Sequence, residues 1–136
     1  MSTPHEILNP PALAAPIGFS HVVVAAPGKT IYLGGQTAHD SSGTIVGEGL
    51  VEQFAQAAAN VVTALEGAGA AVEHLVSMHI FVTDVKTYRT SLKDLSMVYR
   101  LHFGTHYPAI SLFEVSALFD PAALVELVCI GVVPDG

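Results

Sequence analysis

Hydrophobic and polar positions along the chain fall into stretches with a period of two and stretches with a helical period. Val22 to Ala26 and Thr30 to Gly34 are β-prone runs, and the turn-forming residues between them predict a hairpin. Leu75 to Thr83 alternates, which predicts a strand. Ala109 to Val115 and Leu124 to Val133 predict two more strands. The last is an almost continuous apolar run, typical of the middle of a sheet.

Two stretches repeat their apolar residues with the period of an amphipathic helix. The first runs from Leu50 to about Glu66 and ends at Gly67 and Gly69. Its predicted polar face consists of Glu52, Gln53, Gln56, Asn60 and Thr63. The second runs from about Lys86 to Phe103 and ends at Gly104, with an apolar face formed by Tyr88, Leu92, Leu95, Tyr99 and Phe103.

The order of these elements indicates an α+β fold in which both helices cover one face of a single mixed sheet. The other face of that sheet is then left without a cover. Hydrophobic residues make up 51% of the chain and charged residues only 12%, so little charge is available to solvate an open face. We therefore expect another copy of the chain to cover it.

Length and composition limit the number of domains and the location of the protein. We interpret residues 1–136 as a single domain whose first 15 residues form an N-terminal arm. No apolar run approaches the roughly 20 residues of a membrane span, the N-terminus does not resemble a signal peptide, and Cys129 has no partner for an intrachain disulfide. These features predict a cytoplasmic protein with no membrane partner.

The charge pattern disfavours nucleic acid as a partner. The net charge is −7, which repels a phosphate backbone. Four of the five basic residues lie on the second predicted helix and form a short solvated stripe there: Lys86, Arg89, Lys93 and Arg100.

Six segments, in the right order, resemble the RidA/YjgF family of reactive-intermediate deaminases. Pro16 to His21 is similar to that family's N-terminal segment, and Ile31 to Gln36 to its Ser-Gly-Gln strand. Gln53 to Gly69 and Val76 to Asp84 resemble its first helix and its central strand. Tyr99 with Phe103 fits the second helix, and the segment from Ala123 to Ile130 fits the final strand.

The resemblance implies a homotrimer of chorismate-mutase-like subunits with a small-molecule cleft at each subunit interface. It also implies hydrolysis of small imines or enamines without a cofactor, using water activated near Glu126. The substrate-binding positions that it implies are Phe19, Gly34, Gly35, Gln36, Ser96, Tyr99, Ile110, Ser111 and Leu112. The family also carries an older description as an endoribonuclease or translation inhibitor.

Four of these positions depart from the deaminase pattern. Ile110 stands where the family's arginine grips the substrate carboxylate through a bidentate fork, which a hydrocarbon side chain cannot do. Gly34 replaces a serine, Ser96 an asparagine, and Phe19 a tyrosine. We therefore expect a substrate other than a 2-iminocarboxylate.

Glu126 is the acid that survives, and its flanking apolar residues leave two interpretations open. It is either a general base in the cleft or a strand residue that reaches solvent. The resemblance favours the first, and hence a hydrolytic, deaminase-like enzyme. The alternative is a non-catalytic ligand-binding or interaction protein, and the third, disfavoured by charge, is an endoribonuclease.

The histidines and Ser111 provide weaker candidates. His102 and His106 are four residues apart, but Gly104 interrupts the helix between them and no carboxylate or cysteine completes a set, so we predict no metal site. His21 and His39 are expected near the rim of the cleft as ordinary loop residues. Ser111 has no recognisable His-Asp partner motif for a nucleophilic triad.

Overall fold

The structure is a computed structural model that describes residues 2–135. In chain order, the elements are β1 (Glu6–Leu8), β2 (Val22–Val24), β3 (Gly28–Tyr32), α1 (Leu50–Gly67), a 3-10 turn (Val72–His74), β4 (Leu75–Val82), α2 (Val85–Thr90), α3 (Leu92–Phe103), β5 (Ala109–Glu114) and β6 (Val125–Pro134). Within these residues, no helix has both the length and the apolar composition that crossing a bilayer requires.

Strands β3 to β6 form one mixed sheet in the order β3-β6-β4-β5. Strand β6 is antiparallel to both of its neighbours, and β4 is parallel to β5. The apolar run of β6 therefore lies in the interior of the sheet, as its sequence predicts. Both longer helices pack on one face, which confirms the expected α+β architecture.

Helix α1 follows the predicted apolar periodicity closely. Its apolar face is at most 6% exposed and packs in the core, where it consists of Leu50, Phe54, Ala57, Ala58, Val61 and Leu65. Gln53, which we expected on the polar face, is buried at 2% exposure. Its amide donates to the carbonyls of Gly47 and Ala122 and accepts from the Leu124 amide, so the polar side chain ties the loop before β6 to α1.

The predicted hairpin of Val22 to Ala26 with Thr30 to Gly34 is wrong. Strand β2 pairs instead with β1 in a separate two-stranded sheet, while β3 pairs with β6. Gly28 and Lys29, which we expected in the turn, are the first residues of β3, and the segment before them connects two sheets. The N-terminal strand β1 offers β2 a different edge.

The second predicted helix is also not continuous. It is divided at Ser91, where the backbone leaves helical geometry (φ −106°, ψ 11°) between α2 and α3. Helix α2 is capped by Asp84, whose carboxylate accepts from the Thr87 amide and hydroxyl. Helix α3 ends at Gly104, as predicted, with φ +64°. The break leaves Leu92 half exposed, not in the core.

Candidate functional site

A cavity of about 710 Å³ lies between α3, β5 and the loop that precedes β2. Its aromatic walls are Phe19, Phe54, Tyr88, Tyr99 and Tyr107, and its aliphatic walls are Ile17, Ile80, Leu92, Leu95, Ile110 and Leu112. Gly18 and Ser96 complete the lining. Five predicted site residues thus meet around one cavity: Phe19, Ser96, Tyr99, Ile110 and Leu112.

Strand β5 presents Ile110 and Leu112 to this cavity because of its register with β4. Ile110 lies beside Met78, and Leu112 beside Ile80. Met78 and Ile80 are buried on the helix-covered face of the sheet, and paired residues in adjacent strands project to the same side. Ile110 therefore contributes hydrocarbon to the wall of the cavity.

Tyr99 forms the base of the aromatic wall. Its ring stacks on that of Tyr107 with centroids 5.0 Å apart and planes at 6°, and its hydroxyl donates to the His106 carbonyl at 2.7 Å. Burial raises the pKa of Tyr99 far above its ordinary value. Its hydroxyl is therefore a fixed, neutral structural donor and is not available as a base.

Glu126 belongs to a second group of predicted residues, on the uncovered face of the sheet. It is paired with Phe81 of β4 and its carboxyl group lies over Gly35. A Cβ atom added at Gly35 would come 2.8 Å from the Glu126 Cδ atom and closer still to Oε2. A side chain at position 35 would displace the carboxylate, so the glycine sets its position.

The segment after Gly35 is fixed to the same strand. The Gln36 amide and carbonyl both pair with Leu127, each at 2.8 Å. The Gln36 side chain donates to the Gly34 carbonyl and meets the His39 Nε2 atom at 3.0 Å. Gly34, Gly35 and Gln36 thus form a short backbone ledge beside Glu126.

Within one copy, the predicted site is divided between the two faces of the sheet. Ile110 faces the helices, whereas Glu126 and Ser111 face away from them, as the strand register requires. No predicted residue of the ledge lines the cavity. One copy of the chain therefore holds two separate groups of predicted residues, here called half-sites, one apolar and concave and one bearing a carboxylate.

No cation supplements either half-site within the described residues 2–135. The five basic residues, Lys29, Lys86, Arg89, Lys93 and Arg100, are exposed and none lines the cavity. Two of the four cations predicted on the second helix lie on α2 and two on α3, and all four are exposed.

Sequence reasoning missed several residues near the half-sites, among them Tyr88, Tyr107 and His79. Tyr88 and Tyr107 line the cavity. His79 lies on the uncovered face beside Ser111 and Val128, with its ring 5.7 Å from that of Phe113. The alternation of β4 placed His79 on that face in sequence, but nothing in the pattern indicated which residues would lie beside it.

The remaining candidates from the sequence are engaged elsewhere. His21 contacts the Ala14 carbonyl, His102 the Val98 carbonyl and His106 the Leu75 carbonyl. Cys129 is 1% exposed, and burial raises the pKa of its thiol to about 12. Its thiolate, the nucleophilic form, is therefore disfavoured at neutral pH.

Comparison with known proteins identifies the family. The family model described as endoribonuclease L-PSP matches residues 10–133. The chain belongs to this family, the Rid/YjgF proteins. YyfB of Yersinia pestis, a protein of unknown function in the conserved Rid family, superposes with a TM-score of 0.86 at 28% identity, covering 95% of this chain and 98% of that one. RidA of an Antarctic Psychrobacter superposes with a TM-score of 0.68 at 26% identity, covering 88% of this chain and 92% of that one.

Rid relatives of this chain include a named enzyme. The human 2-iminobutanoate/2-iminopropanoate deaminase is 31% identical over 91 residues, which is 66% of this chain. The match spans 64% of that enzyme's own length. A RutC family protein of Synechocystis is 32% identical over 132 residues, covering 95% of this chain and 97% of the relative.

Proposed function

We propose that this Rid-family chain is a hydrolase of small imines or enamines and that its active cleft is shared by neighbouring copies of a homotrimer. The observation that carries the proposal is the division of the two half-sites between opposite faces of the sheet. One face carries a cavity that has no catalytic acid or base, and the other carries a carboxylate that has no cavity. The two can form one active site only where two copies of the chain meet. The deaminase activity named for the human relative supports the reaction class.

The proposed chemistry needs one carboxylate and one water. Glu126 accepts a proton from water while the water oxygen bonds to the imine carbon and the C=N π pair moves to nitrogen. The nitrogen then takes up the proton held by Glu126 and the proton of the new hydroxyl group. The hydroxyl oxygen forms the C=O bond as the C–N bond breaks, and the C–N electron pair leaves with ammonia. The ledge formed by Gly34, Gly35 and Gln36 holds the carboxylate in place through the close approach at Gly35.

Ile110 sets the substrate apart from that of the arginine-bearing relatives. A 2-iminocarboxylate placed against it would lose water from its carboxylate and gain no charged partner. Two missing charge-assisted hydrogen bonds at about 1.5 kcal/mol each correspond to a rate loss of about 100-fold or more. We therefore propose a substrate outside the 2-iminocarboxylates.

The test compares ammonia release from freshly generated imines by the wild type and by Glu126→Gln. We expect slow turnover of 2-iminobutanoate, faster turnover of an uncharged imine, and loss of both in the variant. Glu66→Gln is the matched control, because Glu66 is exposed near the end of α1 and its side chain makes no hydrogen bond within residues 2–135. Hydrolysis that survives Glu126→Gln would overturn the catalytic role.

The second candidate is a ligand-binding protein without catalysis on the same scaffold. The observation that favours it is the wholly uncharged lining of the cavity. Such a lining favours binding of an apolar ligand but supplies no charge that would polarise a bond of the ligand. Ligand binding in the absence of any Glu126-dependent ammonia release would select this candidate. An endoribonuclease remains disfavoured, because the net charge is −7 and no basic residue lines the cavity.

A further inference from the structure

The lining of the cavity is aromatic and carries no charged side chain. Of the thirteen residues that line it, five are aromatic and none is acidic, basic or histidine. Its volume of about 710 Å³ falls in the range of pockets that hold drug-sized ligands, roughly 300–1,000 Å³. A four-carbon iminocarboxylate would occupy a small part of it and would find no charged partner.

Neutral hydroxyl groups are the polar side chains that the lining offers. The Tyr99 hydroxyl is already bonded to the His106 carbonyl. The hydroxyls of Tyr88, Ser96 and Tyr107 make no hydrogen bond to any other residue in the range 2–135, and no buried polar side-chain atom there lacks a partner. These three hydroxyls therefore reach accessible space. Burial also raises the pKa of Tyr88, which keeps its hydroxyl neutral.

We infer that the cavity binds an uncharged, ring-bearing hydrophobic molecule that carries a neutral hydrogen-bond acceptor such as an amide, ketone or imine nitrogen. Aromatic side chains supply large apolar contact area and favour stacked or edge-on rings. The free hydroxyls donate to the acceptor without requiring charge. This inference rests on the proposed function only for the idea that the ligand is a substrate; the binding preference does not require Glu126.

Ile110 is the residue to which we assign the discrimination against charge. It lines the cavity from β5, beside Met78 of β4, and packs against the hydrophobic core. A carboxylate beside it is desolvated without compensation. An arginine at the same position would supply the planar fork that carboxylates bind.

The chain carries its own probe for this cavity. It contains no tryptophan and four tyrosines, three of which, Tyr88, Tyr99 and Tyr107, line the cavity. Tyrosine emission therefore reports mainly on occupancy of this site. Titration of the full-length protein with 4-phenylbutanamide and 4-phenylbutanoate compares two ligands with the same ring and chain that differ in charge.

For the wild type, we expect the amide to change tyrosine emission and to bind at least about tenfold more tightly than the carboxylate. Ile110→Arg should reverse this order. Ile110→Leu should keep it, and the order in the wild type stands as evidence even if the arginine variant fails to fold. Leu101→Arg is the control for added charge: Leu101 is 80% exposed on α3 and does not line the cavity, so both affinities should stay unchanged.

Equal or tighter binding of the carboxylate to the wild type would overturn the inference, as would no response to the amide at millimolar concentration. Either result leaves the proposed hydrolysis to be judged by Glu126→Gln. Conversely, tight amide binding with no Glu126-dependent hydrolysis would reject the proposed function and leave the inference intact.

Discussion

Gly35 and Gly28 both leave room for a neighbouring group, but the two groups differ in how easily they can move. An added Cβ at Gly35 would meet the mobile end of the Glu126 side chain, whereas one at Gly28 would come 2.7–2.8 Å from the backbone atoms of Val133 and Pro134. A side-chain end can rotate away. A paired strand backbone cannot, unless the ladder between β3 and β6 shifts.

We predict that Gly35→Ala changes the free energy of unfolding by less than about 1 kcal/mol but lowers imine hydrolysis nearly as far as Glu126→Gln. Gly28→Ala should instead destabilise the fold by about 1–3 kcal/mol through overpacking. Urea unfolding and ammonia release measure the two effects. Gly67→Ala is the control, since a Cβ there meets nothing within 4 Å and Gly67 ends α1, away from both half-sites. Full activity in Gly35→Ala would show that the carboxylate position is not critical.

At this scale, the resemblance selected several residues that lie near one another in the structure, but it could not show how the two groups are arranged. The resemblance motifs pointed to Gly35 and Glu126, and the structure brings these two into contact. The motifs could not show that Ile110 and Glu126 lie on opposite faces, because that follows from the register of three strands that are distant in sequence. Tyr107 lies in the loop between α3 and β5, where no periodic pattern in the sequence indicates that it lines the cavity.

Among the elements, the start of β4 depends most on side chains from elsewhere in the chain. Three consecutive carbonyls there accept hydrogen bonds from side chains: Glu73 from Thr3, His74 from His5 and Leu75 from His106. The register of β4 with β6 shifts between Leu75 and Ser77. The N-terminal arm and the loop after α3 therefore supply partners at this irregular end of the strand.

His106 makes this contact pH-dependent. Burial lowers the pKa of His106 from its ordinary value, with the charges of His5 and His74 acting in the same direction and the Leu75 bond and Glu73 opposing them. Because the unfolded chain then binds a proton more readily than the folded one, the His106 contribution to stability is complete above the unfolded pKa of about 6.5 and decreases as the pH falls below it.

We predict that the urea midpoint of the wild type falls more between about pH 7.5 and 5.5 than that of His106→Gln, whose amide still donates to the Leu75 carbonyl. His102→Gln is the control, because His102 contacts only the Val98 carbonyl of its own helix. The urea midpoint of His102→Gln should fall with pH as steeply as that of the wild type. Identical slopes in the wild type and His106→Gln would remove His106 as the titrating group.

Element boundaries predicted from strong local patterns agree with the structure. The predictions were wrong where tertiary contacts determine the element. Helix α1 and strands β4, β5 and β6 lie within two residues of their predicted ends. The break at Ser91 was missed because the apolar period continues across it. The pairing of β2 with β1 was missed because the chain between them gives no local sign of a partner.

In the molecule as a whole, one face of the sheet is left uncovered by the rest of residues 2–135. It carries Tyr32, 77% exposed, and Phe113, 44% exposed. Phe113 stacks on Phe81 with centroids 5.4 Å apart, and His79 packs edge-on against both rings. Glu126 lies on the same face. This composition fits an interface between copies, which is the trimer that we propose.

We predict that light scattering at micromolar concentration gives the mass of three copies and that Phe113→Asp lowers this mass towards a monomer, because a carboxylate would be buried between copies. Leu101→Asp is the matched control. Its side chain is 80% exposed on the outer surface of α3, so the mass should not change. A monomeric wild type would contradict the proposed trimer.

The central claim is that the carboxylate of one copy completes the cavity of the next, and the most direct measurement is a crystal structure of the assembled protein. We predict that the Glu126 carboxylate of each copy opens into a cleft that contains Ile110 and Leu112 of its neighbour, with a water between the carboxylate and the apolar wall. An assembly in which every Glu126 carboxylate points away from every such cavity would contradict the account.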